Sequence, residues 1–296
     1  MIVSNINEIR NITKAWNLEG LKIGYVPTMG YLHDGHEALI KQARKNNDKV
    51  IVSIFVNPIQ FGVNEDLSSY PRDLDADEAL CDKNNVELIF VPDEKEMYPS
   101  NYKTFADVND LSANLCGLSR EGHFKGVCTV LTKFFNIINP TNVYFGKKDI
   151  QQFFVVKRLI EDFNFDININ LVNTIREEDG LAMSSRNKYL TKAERLNSIN
   201  LYKSLIKARD FINEKRSNKE IIKSNEVIEL MKNYLDSSID KNIESKLDYL
   251  KIVDTNEIKD ITEINKDCII AIANKFGRAR LIDNLVYRYD KGEFMI

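Results

Sequence analysis

Lys22-Ile-Gly-Tyr-Val-Pro-Thr-Met-Gly-Tyr-Leu-His-Asp-Gly-His-Glu-Ala-Leu-Ile40 is the stretch that decides how this chain is read. Ile23, Tyr25 and Val26 form a short β-prone run, which Pro27 is expected to end. Gly30 and Gly35 allow a tight turn in which backbone can approach a ligand closely. Asp34 and Glu37 fit a capping box, which places a helix start there, with Ala38, Leu39 and Ala43 on its apolar side. Strand, glycine turn and helix N-terminus therefore follow one another. Free N–H groups and the positive end of a helix dipole converge at such a point, ready for an anion. Two of the chain's three histidines, His33 and His36, fall in this turn. A turn residue and a helix-start residue would account for either one alone. Zinc is a second alternative, but His-x-x-His supplies only two ligands, and no Cys or third His lies close by in sequence.

The pattern T-x-G-x-x-H-x-G-H, residues 28–36, resembles the nucleotide signature of the HxGH nucleotidyltransferases, which include the class I aminoacyl-tRNA synthetases. That resemblance implies histidines that steady the phosphates of ATP or CTP during attack at the α-phosphorus.

Composition sets the outer bounds. A chain of 296 residues can hold one large or two moderate domains. Hydrophobic residues at 43% and charged residues at 29% are ordinary for a soluble globular protein. A net charge of −3 argues against a general nucleic-acid-binding surface, while leaving room for a local basic phosphate pocket. Cys81, Cys116, Cys128 and Cys268 form no C-x-x-C pair and read as reduced, mostly buried thiols of a cytoplasmic protein. The sequence shows neither a signal-peptide pattern nor an 18-residue apolar run, so neither export nor a membrane partner is expected.

Outward from the turn, Ile6, Ile9, Ile12, Ala15 and Trp16 predict a helix over 5–17. Val50–Val56 reads as a central strand buried on both faces. Asn57-Pro58 ends it and displays Asn57 and Gln60 at its carboxyl end, where open α/β sheets bind ligands. Asn57-Pro58 is also simply a good turn. Beyond an acidic loop, a helix to about Asn84 and a strand at Glu87–Val91 are expected. Asp75 and Asp77 could meet a metal–phosphate complex, yet acidic helix starts also arise for dipole reasons alone. Residues 93–118 give no regular pattern.

Phe124, Val127, Cys128, Leu131, Phe134, Phe135 and Ile138 trace an amphipathic helix closed by Pro140, with Arg120 and His123 as anion candidates at its start. Val143-Tyr144-Phe145 is a strand leading into Gly146-Lys147-Lys148-Asp149, where two lysines beside a glycine suggest phosphate contact. A helix over 150–163 follows. Gln152 fits a capping box with Asp149 and is also a candidate ligand-binding residue; both readings stay open. Residues 166–172 alternate as a strand. After it, Ser184, Ser185, Arg186 and Asn187 suit a triphosphate clamp, or form a generic polar loop. Thr191 and Glu194 open a long helix to about Asn213, another spans roughly 217–237, and Leu247–Val253, Cys268–Ala273 and Ala279–Ile282 read as strands of a second domain.

Taken together, Pro27–His36, Val56–Phe61, Arg120–Phe124, Gly146–Asp149 with Gln152, and Thr174–Asn187 occur in the order of the pantothenate synthetase (pantoate–β-alanine ligase) family, which the chain resembles from about residue 20 to 200 and more loosely beyond. The resemblance implies an α/β fold: a Rossmann-like nucleotidyltransferase domain with a parallel sheet over 1–177, and a smaller C-terminal α+β domain over 178–296 closing over the active site. It implies a homodimer that condenses pantoate with β-alanine through a pantoyl adenylate, with ATP as substrate and Mg²⁺ accompanying the nucleotide. His36 would be the catalytic proton donor, with His33 and Lys148 beside it in the chemistry. Met29, Gly30, Tyr31, Leu32, His33, Asp34, Gly35, His36, Gly146, Lys147, Lys148, Asp149, Ile175, Met183, Ser184, Ser185 and Arg186 would line ATP. Gln60 would contact pantoate and β-alanine, and Gln152 pantoate, with Asn57, Arg120 and His123 as further substrate-binding candidates. Lys147 stands where the family has Glu, Tyr31 where Ala is commoner and Asp34 where Glu is. Two rivals are another nucleotidyltransferase, against which Gln60 and Gln152 favour a polar hydroxylated acid, and a nucleotide-binding regulatory module, against which the intact histidines and Lys148 speak.

Overall fold

The computed structural model describes residues 1–62 and 65–295. The chain forms two compact units: Met1–Ser112 with Cys116–Lys147 and Gln152–Val172, and Ala113–Leu115 with Lys148–Gln151 and Asn173–Ile296.

The first unit is a Rossmann-like parallel sheet wrapped by helices. Its strands are β1 (Ile2–Val3), β2 (Ile23–Thr28), β3 (Lys49–Ile54), β4 (Leu88–Phe90), β5 (Asn142–Gly146) and β6 (Asn168–Val172), in the order β1-β4-β3-β2-β5-β6. Every pairing is parallel. The order reverses between β2 and β5, the switch point where a sheet of this kind opens a crevice at its carboxyl end. The connecting helices are α1 (Ile6–Leu18), α2 (Asp34–Asn46), α3 (Leu74–Lys83), the short α4 (Glu94–Met97) and α5 (Cys116–Ser119), α6 (His123–Ile138) and α7 (Ile150–Asp162).

Each face of the sheet has its own apolar layer, as near-continuous hydrophobic strands require. Leu39, Ile40 and Ala43 of α2 cover Val26, Val50 and Val52 on one side. On the other, Phe134 of α6 meets Tyr25, Phe55 and Phe90 edge-on at 5.9, 6.1 and 5.9 Å. The four cysteines are buried and unbridged. Burial pushes the thiols of Cys81, Cys128 and Cys268 up to about 12, so they are inert packing groups.

Pro27 does not end its strand: it lies in register with Ser53, and β2 continues to Thr28. The Thr141 N–H donates to the Ile23 carbonyl at 2.9 Å, so the odd-numbered residues of β2 face β5. The donor that Pro27 lacks therefore falls on that side, past Tyr25, the last β2 residue registered with β5.

The second unit is α+β. Strands β7 (Ser245–Asp254), β8 (Cys268–Phe276), β9 (Ala279–Arg288) and β10 (Glu293–Met295) form an antiparallel sheet in the order β10-β9-β8-β7. Helices α8 (Lys192–Ser198), α9 (Asn200–Ser217) and α10 (Ser224–Ser238) precede it. Leu201, Leu205, Ala208 and Ile212 of α9 and Val227, Met231 and Leu235 of α10 share a core with Ile252, Ile270, Ile272 and Leu285 of the sheet. The capping box of Thr191 and Glu194 forms as expected. The single long helix expected after it is two helices meeting at Ile199, and α10 begins only at Ser224.

Candidate active site

The carboxyl end of β2 is shaped by the side chains of Thr28 and Asp77 and by the glycine at position 30. The Thr28 hydroxyl donates to the Ser53 carbonyl at 2.6 Å and accepts from the Gly30 N–H at 3.1 Å. Gly30 has φ +82°, and a Cβ there would lie 2.8 Å from Ile54 Cγ2 and 3.0 Å from Asp77 Oδ2, so this position requires glycine. The N–H groups of Tyr31 and Leu32 donate to Asp77 at 2.8 and 2.6 Å. Asp77 is thus an anchor of the glycine turn, and Asp75 an exposed residue of the first turn of α3. Burial pushes the Asp77 carboxyl up, and the two backbone donors pull against it. Among the described residues, no group of three or more His, Cys, Asp or Glu is placed to hold a metal.

The helix start lies one residue earlier than the Asp34–Glu37 box expected. His33 is the N-cap and His36 the third helical residue. His33 Nδ1 accepts from the Gly35 N–H at 3.1 Å, and His36 Nδ1 accepts from the His33 N–H at 3.3 Å. An imidazole nitrogen that accepts carries no proton, so in each neutral ring the proton sits on Nε2. The helix cap selects the tautomer. Glu37 turns inward instead, held by Lys83 at 3.0 Å and by Asn84 and Lys41 at 3.1 Å, which lower its carboxyl to about 2.

Gln60 lies in a 3₁₀ turn, Pro58–Gln60, after β3. Its Nε2 donates to Met29 Sδ at 3.0 Å, and its Oε1 accepts from Asn57 Nδ2, also at 3.0 Å. Asn57, 1% exposed, also donates to the Gly126 carbonyl at 3.1 Å and accepts from the Tyr98 hydroxyl at 2.8 Å. The second cluster meets the same turn. Arg120 grips Glu65 through Nε and Nη2 at 2.5 and 2.7 Å, and its Nη1 lies 2.9 Å from His123 Nε2. His123 Nδ1 lies 2.9 Å from the Gln60 carbonyl. Guanidinium can only donate and a carbonyl can only accept, so His123 is neutral with its proton on Nδ1. Burial alone would push the Glu65 carboxyl up, but Arg120 outweighs it and holds the carboxyl below its ordinary value. The structure brings Asn57, Arg120 and His123 together around Gln60. Their polar atoms frame Gln60, and their partners lie within the protein.

At the end of β5, Gly146 is followed by a 3₁₀ turn, Lys147–Asp149, that runs straight into α7. Asp149 is inside a helical turn, and no Asp149–Gln152 capping box forms. Gln152 is half-buried, and no hydrogen bond to its side chain is found among the described residues. Of the two lysines Lys148 is the more exposed, Lys147 being 1% exposed. Lys148 Nζ approaches Asp149 at 3.8 Å, and the Lys148 carbonyl accepts from Asn284 Nδ2 at 2.9 Å, a contact no local motif announces.

In the second unit, residues 175–183 double back on themselves. Arg176 and Ala182 form an antiparallel bridge, the Met183 N–H donates to the Ile175 carbonyl at 3.0 Å, and Gly180 turns the chain at φ +97°. Ser184 caps the 3₁₀ turn Ser185–Tyr189 by accepting from the Arg186 N–H at 3.3 Å. Ser184, Ser185 and Arg186 are thereby carried on one short turn. Asn187 follows on the same turn, its Nδ2 donating to Glu177 at 2.7 Å and to the Ala182 carbonyl at 3.2 Å.

A parallel sheet whose switch-point strand runs into a histidine-capped helix defines an α/β enzyme of the nucleotide-binding kind. Comparison with known proteins narrows the class. The family model for pantoate–β-alanine ligase matches residues 1–286. The pantothenate synthetase of Clostridium botulinum (strain Loch Maree / Type A3) is 50% identical over 97% of this chain and 99% of its own. That of Thermosipho melanesiensis is 48% identical over 96% and 98%. Among solved structures, pantothenate synthetase from Thermus thermophilus superposes with a TM-score of 0.86 at 39% identity, covering 96% of this chain and 98% of that one. The Francisella tularensis pantoate–β-alanine ligase, complexed with beta-gamma ATP and β-alanine, gives 0.79 at 34% identity, covering 97% of each. This chain belongs to the pantoate–β-alanine ligase family, and it is an enzyme that forms the carbon–nitrogen bond the family is named for.

Proposed function

We propose that this chain condenses pantoate with β-alanine in two steps, using ATP and releasing pyrophosphate and AMP. In the first, a pantoate carboxylate oxygen attacks the α-phosphorus, and the bond to the β-phosphate breaks. A carboxylate with pKa about 4 is already ionised at neutral pH, so this step needs positioning and charge stabilisation rather than a strong base. The observation that carries the reading is the histidine cap: with Nδ1 engaged, His33 and His36 carry their ring protons on Nε2, as donors at a helix N-terminus. His36 is assigned the proton donor's role. Lys148, whose only ion pair among the described residues is the 3.8 Å approach to Asp149, and Arg186 are assigned to the phosphates. Met29 to His36, Gly146 to Asp149, Ile175 and Met183 to Ser185 are assigned to the remainder of the nucleotide, with Lys147 contributing through its backbone.

In the second step the β-alanine amine attacks the acyl carbon, forming the C–N bond and breaking the C–O bond to AMP. Gln60 and Gln152 are assigned to the pantoate, and Gln60 also to β-alanine. Mg²⁺ would enter with the nucleotide and supply positive charge against its phosphates. A homodimer and a cytoplasmic setting complete the proposal. The buried cysteines, which form no disulfide, suit a reducing compartment.

The test is pantoate-dependent exchange of labelled pyrophosphate into ATP, with Mg²⁺ and without β-alanine. Exchange is expected. Its absence, with ATP binding intact by calorimetry, would overturn adenylation before amine entry.

A further inference from the structure

The polarity of the Gln60 side chain is fixed from behind, and the chain of contacts that fixes it ends at Tyr98. An amide has a donor end and an acceptor end of nearly the same shape, so which end faces a ligand depends on its other partners. Here those partners leave no choice. The Gly126 carbonyl can only accept, so the Asn57 atom 3.1 Å away is Nδ2. The same Nδ2 lies 3.0 Å from Gln60, which must then present Oε1 to it. That puts Gln60 Nε2 on the opposite side, where its one partner among the described residues is Met29 Sδ at 3.0 Å, a weak acceptor. Asn57 Oδ1 in turn receives the Tyr98 hydroxyl at 2.8 Å. Gly126 matters as glycine too: a Cβ there would sit 2.5 Å from the Ile59 carbonyl and 2.6 Å from Gln60 Cα, so α6 lies directly on the Gln60 turn.

We infer that Tyr98 is a positioning residue for substrate recognition: through Asn57 it holds Gln60 with its amide N–H donors toward the ligand, selecting a carboxylate or hydroxyl acceptor there. This rests on the assignment of Gln60 to pantoate. Tyr98 suits the task because its ring is fixed, 6.2 Å from Phe55 and 5.2 Å from Tyr102, and because burial pushes its hydroxyl pKa up, so the proton it donates is kept. It lies 41 residues from Asn57, at the C-cap of α4.

The test is a double-mutant cycle on the full-length enzyme with Tyr98→Phe and Gln60→Ala, read by the KM for pantoate in pyrophosphate exchange and by calorimetric ATP affinity. Loss of one neutral hydrogen bond predicts a rise of about 3- to 10-fold in the pantoate KM of Y98F, with ATP affinity unchanged. In the Gln60→Ala background the same substitution should change KM less than about 2-fold, because the group it acts through is gone. Equal factors in both backgrounds, or no change in Y98F alone, would overturn the inference. If Gln60→Ala alone leaves the pantoate KM untouched, the assignment of Gln60 fails instead. Asn57→Ala in the same cycle serves if Y98F does not fold, with the same non-additivity expected.

Discussion

His36 closes the cap that His33 opens: its Nδ1 accepts the His33 N–H at 3.3 Å, with the ring centroids 4.1 Å apart. The cap uses Nδ1 and the proposed proton donation uses Nε2 of the same ring, so the two can be separated. Asparagine places an acceptor where Nδ1 stands and has nothing at the position of Nε2. His36→Asn should therefore keep the helix start while kcat falls on the order of 100-fold or more, the usual loss for one transition-state donor. His36→Ala should lose the cap as well, about 1 kcal/mol of stability. Single-turnover kinetics and thermal melts distinguish the two variants. Near-normal turnover in His36→Asn would leave His36 a capping residue only.

Glu37 supplies a pH signature on the same helix. Its carboxyl lies at about 2 in the fold against an ordinary 4.5, with Lys83 the leading cause. A depressed carboxylate stabilises the fold above its ordinary pKa and loses that contribution as pH falls toward its folded one. Lys41 and Lys83 are 61% and 70% exposed, so solvent screening limits the effect to about 1 kcal/mol. Glu37→Gln should be less stable than the wild type by that amount at pH 7, with the gap closing between about pH 4.5 and 2. Urea midpoints across that range check it; a gap that stays constant with pH would contradict the assignment.

Much of this was legible in the sequence. Apolar runs marked β2, β3 and β5, the spacing of Phe124 to Ile138 marked α6, and the histidine turn marked a strand running into a helix N-terminus. Strands β1 and β10 escaped because two or three residues carry no period, and the break at Ile199 because no Pro or Gly announces it. In the site, residue type and position told which groups were present but not which were already engaged. Asn57 and Arg120 read as candidate ligand contacts, and Asp77 as either a metal–phosphate contact or an acidic helix start, yet their partners Tyr98, Glu65 and the Tyr31 N–H lie 41, 55 and 46 residues away. Tertiary contacts of that separation leave no local trace. The usual capping pattern points one residue late because imidazole is an uncommon cap, and Asp34 and Glu37 match that pattern better than His33 and His36 do.

Arg120 tests that distinction directly. If it acts through His123 on the Gln60 carbonyl, Arg120→Lys, which keeps the charge but loses the fork that holds Glu65 and His123 together, should raise the pantoate KM about 10-fold. ATP affinity should not move. Glu65→Gln should produce a smaller change in the same direction, because Arg120 then keeps His123 with a weaker anchor. If Arg120 instead met substrate charge directly, Arg120→Lys would retain most of the affinity and Glu65→Gln would tighten it by releasing the guanidinium. Initial-rate kinetics on the two variants separate these outcomes by sign.

In the second unit, Arg176 carries the turn that presents Met183 to Arg186. It holds Asp283 through two bonds of 2.6 and 2.9 Å, donates to the Gly180 carbonyl at 3.1 Å, and lies 3.9 Å over the Tyr202 ring. Asp283 is 4% exposed, so removing its partner strands a buried charge, a loss of about 3 kcal/mol or more. Lysine restores the charge but neither the paired bonds nor the flat face that stacks on tyrosine. Arg176→Lys should therefore lose about 1–2 kcal/mol in urea unfolding and Arg176→Ala more, whereas Arg176→Ala with Asp283→Asn should recover part of the deficit by removing the stranded charge. Activity should follow the same ranking through the KM for ATP, since the Arg176–Ala182 bridge sets the path of the chain into Met183, Ser184 and Ser185. An Arg176→Ala variant of undiminished stability would mean that Asp283 finds compensation elsewhere and that the turn is held by its backbone bridge alone.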